Sequence, residues 1–558
     1  MLQMEQPEVF YTYEWSLAVF RAYGGQLLPL LFLAYEEDLL VGLVALATNR
    51  SQETVFLAGT TADYCDFIGH PQLRKELVNS VLAMLEELGS PKLQLANLPA
   101  HSATLPALKA ITQVSGYQSF VRPAYFCARV TLDTSEQKTL MKQVLSRKQM
   151  FRRHIKGMGK IGTVEVRHLR SRELLVAALP AFMTAHTARF LSTGRIGNLA
   201  SAERRDFLEK LAELLAPQGW IMMSSLMVGE QPVAWNYGFQ FGGSWFWYQP
   251  TFDNGFQKYY PGLCLLTKLI EQACDSPSIN RVDLGLGAEG YKERVTNDGR
   301  QTVHVTMTTS NLAWWKERLR YRTSAAVRSI PHLENGIRSS LAHTASLRQQ
   351  LRDEGLRGLR NSLFSSSEIV FLQWEQAELK NLASGSNLVR PLDLKLLATT
   401  AMQYSDHADT AAYLLRAAKR LELKRSQGFA LVNPEGVPLH LCWVADSQDF
   451  DVAGLERGVH LLPADSVPIF DCWTPRAIRR RGHCREALSI LSAQLDNAGK
   501  LPWTFAAVSN PGALDAAEQA GFVRTFSLTR KRFFFLSKMV ESEFSRAPRP
   551  LAKVSSAA

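Results

Sequence analysis

No run of 18 uncharged apolar residues occurs in the 558-residue chain, and its opening, MLQMEQPEVFYTYEW, has neither a basic leader nor an apolar core. A membrane-spanning helix and a secretory signal are therefore not expected, and the chain reads as soluble, unexported and cytoplasmic. Cysteine is scarce: the seven, at positions 65, 127, 264, 274, 442, 472 and 484, are odd in number and never form a C-x-x-C pair. That pattern excludes a disulfide framework and predicts buried thiols in a reducing compartment. The twelve histidines show no metal-ligand spacing, so no metal is expected. Three catalytic motifs are missing, G-x-S-x-G, H-E-x-x-H and G-x-x-x-x-G-K-[ST], which sets aside nucleophile-elbow hydrolases, zinc proteases and P-loop nucleotide hydrolysis. Gly285, Gly287 and Gly290 do spell G-x-G-x-x-G. They lead into Tyr-Lys-Glu-Arg and a polar turn, not into the helix and distal acid of a dinucleotide site.

What the chain does have is ordinary globular composition, 46% apolar and 21% charged, and enough length for three or four domains. Its net charge is +11, and the distribution of that charge says more than its size. Between Trp314 and Phe364 stand ten Lys or Arg against four Asp or Glu, in an Arg-, Ser- and Leu-rich texture. Residues 311–366 read as a basic helical linker, either solvated or in peripheral contact with an anionic membrane; no specific nucleic acid is expected.

Periodicity places a β-β-β-α-β order in residues 220–294. Strands at 220–227 and 232–241 join through Gly229-Glu230, a third covers 244–249, and an apolar helix at 263–274 opens with Pro261-Gly262 before a strand at 281–284. A helix start of this kind leaves N–H groups at the positive end of the dipole, which suits phosphate or carboxylate; most such starts bind nothing. Upstream, a helix and hairpin fill 8–48, helices cover 71–87 and 99–114, and 121–132 reads as a strand pair. One basic helix is expected at 136–160, with Arg147, Lys148, Arg152, Arg153 and Lys156 opposite Leu140, Val144, Met150 and Phe151. Beyond 366, a strand at 467–473, a basic turn at 475–483, a helix at 484–498 and a strand at 502–508 repeat the β-α-β theme.

The combination Phe252-Asp253 with Tyr259, Tyr260, Pro261 and Gly262, then Val282-Asp283-Leu284-Gly285 with Gly287, Glu289, Tyr291 and Lys292, resembles the bacterial acyltransferases grouped with FemA/B and CelD-like proteins. The resemblance spans about residues 8–310 and implies the acyl-CoA N-acyltransferase (GNAT) fold. Asp63, Tyr64 and Asp66 match the family's acidic-aromatic loop, which implies substrate contact; alone they read equally well as a solvated loop. The resemblance further implies acyl-CoA at the Pro261-Gly262 helix start, Asp283 and Glu289 as base or ammonium anchor, Tyr291 as proton donor, and Lys292 as an anion clamp. Each has a plain alternative: Asp283 capping a turn, Tyr291 on a rim, Lys292 in solvent.

Farther along, Arg479-Arg480-Arg481-Gly482-His483-Cys484 resembles the acetyl-CoA signature of GNAT enzymes, with Asn510 and Gly521-Phe522 in the places that pattern implies. Arg479, Arg481, Gly482, His483 and Asn510 are thus expected at the cofactor pyrophosphate. Two departures stand out: Cys484 replaces a small residue, and Ala517 stands where the resemblance implies a Tyr that protonates the thiolate.

The expected fold class is α+β, with central mixed sheets flanked by helices in tandem GNAT modules. Modules are expected at 1–132 and 133–310, the linker at 311–366, a third module at 367–540 and a disordered tail at 541–558. The expected function is transfer of an acyl group, acetyl by preference, from acyl-CoA to an amine such as an amino sugar or an envelope or exopolysaccharide precursor, without metal. One alternative is aminoacyl transfer from aminoacyl-tRNA, disfavoured because 163–310 has no insertion comparable to the long antiparallel helical arm that the resemblance implies for such enzymes. The other is a non-catalytic, CoA-binding scaffold for polysaccharide synthesis.

Overall fold

Gly242 and Gly243, at φ 55° and 74°, close a two-residue hairpin that needs left-handed backbone at both positions, and Gly229, at φ 60°, closes the hairpin before it. In the computed structural model these turns deliver the expected meander as β8 (Ile221–Val228), β9 (Gln231–Phe241) and β10 (Ser244–Phe252). The structure describes residues 4–90, 92–111, 116–287, 289–328, 364–375, 387–404, 407–445, 462–463, 465–533 and 536–543. Two contact units divide the chain, Met1–Arg189 with Asn198–Pro331 and Phe190–Gly197 with His332–Ala558.

The first unit begins α1 (Tyr13–Tyr23), β1 (Leu27–Glu36), β2 (Leu39–Asn49), β3 (Thr54–Phe56), β4 (Ile68–Gly69), α2 (Arg74–Glu87), β5 (Lys92–Pro99), α3 (Thr104–Ile111) and β6 (Gln118–Thr131). It continues with α4 (Ser135–Arg147), α5 (Gln149–Met158), β7 (Val164–Leu169), α6 (Arg172–Ser192) and α7 (Ala202–Leu215), then β8 to β10. After these come α8 (Pro261–Asp275), β11 (Arg281–Asp283), β12 (Asp298–Thr308) and α9 (Asn311–Arg328). Local chemistry sets the helix starts: Thr12 and Ser201 cap α1 and α7, and Thr134 with Gln137 forms a reciprocal capping box on α4.

All these strands join one sheet, ordered β1-β2-β3-β5-β12-β6-β11-β10-β9-β8-β7, with β4 paired to β2. Its centre is an exchange. β6, from the first half of the unit, pairs with β11 of the second, and β12, from the second half, pairs with β5 of the first. The expected boundary at 132 therefore runs through one continuous sheet. Most neighbours are antiparallel, but β3 pairs β5 and β10 pairs β11 in parallel, each pair bracketing a helix.

Several expectations are corrected. The strand pair at 121–132 is the single strand β6, whose Pro123 stands beside a register irregularity opposite Val303. The basic helix at 136–160 breaks at Lys148, where ψ is 92°, into α4 and α5. Its buried side is Met141, Leu145, Phe151 and Met158, whereas Leu140 and Val144 are exposed. The first part of the expected helical linker is the helix α9, and it is packed: Trp314 donates to the Ser119 carbonyl at 3.0 Å, and Tyr321 meets Phe120 edge-on. Residues 329–363 and the expected tail from 544 lie outside the described residues. One described helix, α6, is long and apolar enough to cross a membrane by length and composition; Leu175, Leu179, Phe182 and Met183 on it are buried in the protein.

The second unit contains β13 (Phe364–Trp374), β14 (Leu388–Pro391), α10 (Leu394–Tyr404), α11 (Ala408–Leu423), β15 (Gln427–Val432) and β16 (Pro438–Val444). It ends with β17 (Ser466–Trp473), α12 (His483–Asn497), β18 (Leu501–Ala507), α13 (Pro511–Gln519), β19 (Phe522–Phe533) and β20 (Leu536–Glu543). Its sheet runs β14-β15-β16-β17-β18-β13-β19-β20, and β17 with β18 is its parallel pair.

Candidate functional site

β10 and β11 run together for only three residue pairs, Ser244 with Arg281 through Phe246 with Asp283, and β10 then shifts register between Phe246 and Gln249. Beyond that point the two strands part. Side-chain alternation assigns different chemistry to the two faces of the opening. Trp245, Trp247, Val282 and Leu284 share a buried cluster with α8, while Phe246 and Tyr248 meet Phe10 on the other face.

On the α8 face lies a cavity of about 290 Å³ whose walls include Arg189, Trp247, Phe252, Gly262, Tyr291 and Arg294. α8 opens onto it with Pro261 at its first turn, no side-chain cap, and Tyr260 at φ 48°. A Cβ added at Gly262 would meet only Phe252, at an ordinary 3.4 Å. Pro261 has no N–H and the Leu263 and Cys264 amides donate to the Tyr260 carbonyl, so the Gly262 amide, at the positive end of the helix beside two guanidinium groups, is the one that suits an anion. The Arg189 guanidinium also lies over the Phe252 ring at 4.6 Å. Trp247 Nε1 donates to the Tyr291 hydroxyl at 3.4 Å, and burial raises that phenol to about 12. The expected residues Pro261, Gly262 and Tyr291 are thus brought together.

Lys292 and Glu289 are elsewhere employed. The buried Lys292 ammonium donates to the carbonyls of Leu286 and Gly287 at 3.0 and 3.1 Å and pairs with the exposed Glu289 carboxylate at 2.7 Å. It fastens the loop after β11, in place of the expected clamp on a free anion.

On the opposite face Asp283 is fully buried. It accepts from the Tyr64 hydroxyl at 2.8 Å, from the Gly285 amide at 2.9 Å, and from Arg300 at 3.0 Å. Arg300 also holds Glu8 at 2.7 Å and lies 3.3 Å over the Tyr64 ring. Desolvation pushes Glu8 up to about 7 even so. Asp283 and Tyr64 are in this way committed to positioning. Asp66 is committed too: it accepts from Arg74 at 3.2 Å and Thr104 at 2.5 Å, remote from the α8 cavity.

Asp63 differs. A Cβ built on Gly285 would come within 2.6 Å of its Oδ2 and 3.7 Å of the Trp247 carbonyl, which sets the carboxylate where β10 and β11 diverge. Desolvation first, and repulsion from Asp283 second, raise it to about 7, opposed by Lys292, Arg204 and Arg300. The Thr61 carbonyl accepts from the Tyr248 hydroxyl and Tyr64 donates to Asp283, so the segment that carries Asp63 lies on the face opposite α8.

In the second unit, β17 and β18 pair from Ser466 with Leu501 to Ile469 with Thr504 and then separate around a cavity of about 780 Å³. Arg479, Arg481, Gly482, His483 and Asn510 all line it, as expected. Gly482 caps α12 at φ 84°, and the Asn510 side chain accepts from the Ala513 amide to cap α13. Ala517 is a correction: it is buried in the core cluster, and the cavity sees Ala513, Ala516 and Gln519 of α13 instead. The cysteines need a correction as well, since Cys472 is exposed and Cys484 half-buried. The sequence assigned no site role to Arg300, Glu8, Arg189 or His440. Arg300 was not legible from alternation, because in DGRQTVHVTM it shares the polar phase with Thr302, His304 and Thr306, opposite Val303, Val305 and Met307.

Residues 146–293 match the model of the family described as an acetyltransferase (GNAT) domain. No curated protein matches the chain. Among solved structures, a conserved protein of unknown function from Bacteroides thetaiotaomicron is 11% identical, with 55% of this chain and 93% of that one covered at a TM-score of 0.40. FemX is 9% identical, covering 56% and 95% at 0.40. L-PGS from Bacillus licheniformis is 14% identical, covering 56% and 95% at 0.34. Likenesses this distant carry no substrate from one chain to another. The fold is a mixed α+β arrangement of two large sheets flanked by helices, and within the first of them residues 146–293 match the model of an acetyltransferase (GNAT) domain.

Proposed function

We propose that the first unit is an N-acyltransferase that takes its acyl group from acyl-CoA and gives it to an amine. The observation that carries this reading is Asp63, a carboxylate held near pH 7 at the divergence of β10 and β11. An amine attacks a thioester only in its neutral form, and the best proton acceptor has a pKa near the working pH.

The α8 face fits the thioester donor: the uncapped helix start, Gly262, Arg189 and Arg294 suit its phosphates. The amine then approaches from the other face, where Asp63 takes its proton. As the C–N bond forms and the C–S bond breaks, Tyr291, protonated at neutral pH, donates a proton to the departing sulfur and regains one from solvent. Backbone amides of β10 beyond its irregularity are the donors available to the oxyanion. Acyl-CoA chemistry fits the cytoplasm, and the family resemblance favours an amino sugar or an envelope or exopolysaccharide precursor as the amine.

The test is free-thiol release from acetyl-CoA by the full chain across amino sugars, diamines and amino acids, with the product identified by mass spectrometry. Turnover that depends on amine and falls at least about 100-fold in Asp63→Asn is expected, the scale of a lost general base. No turnover with any amine, or full activity in Asp63→Asn, would overturn the assignment. Aminoacyl-tRNA remains the rival donor. Against it, the described part of 163–310 holds only α6, α7 and α8, of 21, 14 and 15 residues, and no additional helical arm.

A further inference from the structure

The second unit brings together three groups that no local spacing connects. His440 comes from β16, Cys472 from the end of β17 and Cys484 from the first turn of α12, and one ligand atom of each lies within 4.8 Å of the other two. All three line the 780 Å³ cavity. The imidazole is buried and its orientation is fixed: Nδ1 bonds the Thr474 hydroxyl at 2.8 Å, while Nε2 is a buried nitrogen with no hydrogen-bond partner. A buried orphan nitrogen is destabilising unless something pairs with it, and in the tautomer whose Nδ1–H donates to Thr474 the Nε2 lone pair is open to a cation. An imidazole steered through its other nitrogen is the arrangement that metal-binding histidines adopt.

We propose that His440, Cys472 and Cys484 form a binding site for one thiophilic cation, zinc(II) by preference, with a further coordination position open to the cavity. Two thiolates and a neutral imidazole balance the two positive charges of zinc, and three protein ligands plus one open position is a coordination zinc accepts. Arg479, Arg480, Arg481 and Arg485 line the same cavity and oppose a bare dication. They also favour thiolate over thiol, as does the start of α12, where Cys484 sits. Metal uptake releases the protons these thiols still carry. The site involves none of the residues assigned to acyl transfer in the first unit, so the two readings stand or fall separately.

The test uses the full chain, reduced, stripped with chelator and titrated with Zn²⁺ against a chromophoric competitor, and with Co²⁺ for its thiolate charge-transfer absorption. One equivalent of zinc and a cobalt spectrum of tetrahedral thiolate type are expected. Cys472→Ser, Cys484→Ser and His440→Gln should each weaken binding at least about 100-fold. Thr474→Val, which removes only the imidazole's anchor, should weaken it about 10- to 100-fold. Cys442→Ala, altering a buried core thiol, is the control that leaves binding unchanged, and far-ultraviolet circular dichroism establishes that each variant is folded. Failure of the reduced chain to bind zinc, or unchanged binding in the Cys472→Ser/Cys484→Ser double variant, overturns the proposal. So does recovery of two thiols on reduction without metal uptake, which would make the pair a redox couple.

Discussion

Asp63 and Asp283 lie close enough to repel each other, yet only one is free to move a proton. Asp283 has Tyr64, Gly285 and Arg300 as partners, whereas Asp63 is held up to about 7 by burial and by that neighbouring charge. If Asp63 is the base, kcat/KM should climb about tenfold per pH unit below pH 7 and level off above it, and Asp63→Asn should lose that limb. Stability must move the other way. The folded chain binds this proton more tightly than the unfolded chain, so the contribution of Asp63 is greatest below about pH 4 and fades as pH rises toward 7. Asp63→Asn should therefore raise Tm relative to the parent at pH 8 more than at pH 4; an equal difference at both would refute the shift. Arg300→Met tests the network behind it. It strands Glu8 and Asp283 without their shared cation, so urea unfolding should show a loss of about 3–5 kcal/mol. Which of two motif carboxylates would be free could not be read from the sequence, because the partners that commit Asp283 lie as far away as Tyr64.

Among elements, α8 and the loops around it were the most legible. Pro261-Gly262 announced the helix start, the glycine turns announced β8 to β10, and the structure added only the cavity between them. Gly262→Asp should keep the fold, because an added Cβ would meet only Phe252, and should weaken acyl-CoA binding by about 1–3 kcal/mol by setting a carboxylate against the phosphates. Calorimetric titration with CoA would measure it, and unchanged affinity would move the donor site. Tyr291→Phe keeps the ring but removes the acid, and kcat should fall at least about tenfold with KM for acyl-CoA little changed. Other elements misled for identifiable reasons. Pro123 reads as a strand break, yet it is tolerated beside a register irregularity. The α4–α5 break falls at Arg-Lys-Gln, a stretch with neither Pro nor Gly to mark it.

For the molecule as a whole, repeated β-α-β order was visible in the sequence, but the exchange of β6 and β12 was not. Hydrophobic alternation tells which residues face inward and says nothing about which distant strand lies alongside. The exchange makes a direct prediction about fragments. Residues 1–331 should fold and keep the transferase activity, whereas residues 1–132 should not fold alone, since β6 would lose both its neighbours, β11 and β12. Circular dichroism and gel filtration of the two fragments decide the matter, and a cooperatively folded 1–132 piece would count against the exchanged sheet.

The exchange also sets a timetable. As the chain leaves the ribosome, β5 emerges some two hundred residues before its partner β12, whose register runs from Thr302 opposite Pro99 to Thr308 opposite Lys92. The middle of the sheet is consequently filled last, from the end of the unit inward. Until that insertion, β5 and β6 each present an open edge, rich in hydrogen-bonding groups, to whatever is nearby. Nascent chains stalled before residue 298 are then the species most in need of a chaperone, and release of the last eleven residues of the sheet is the event that ends that need.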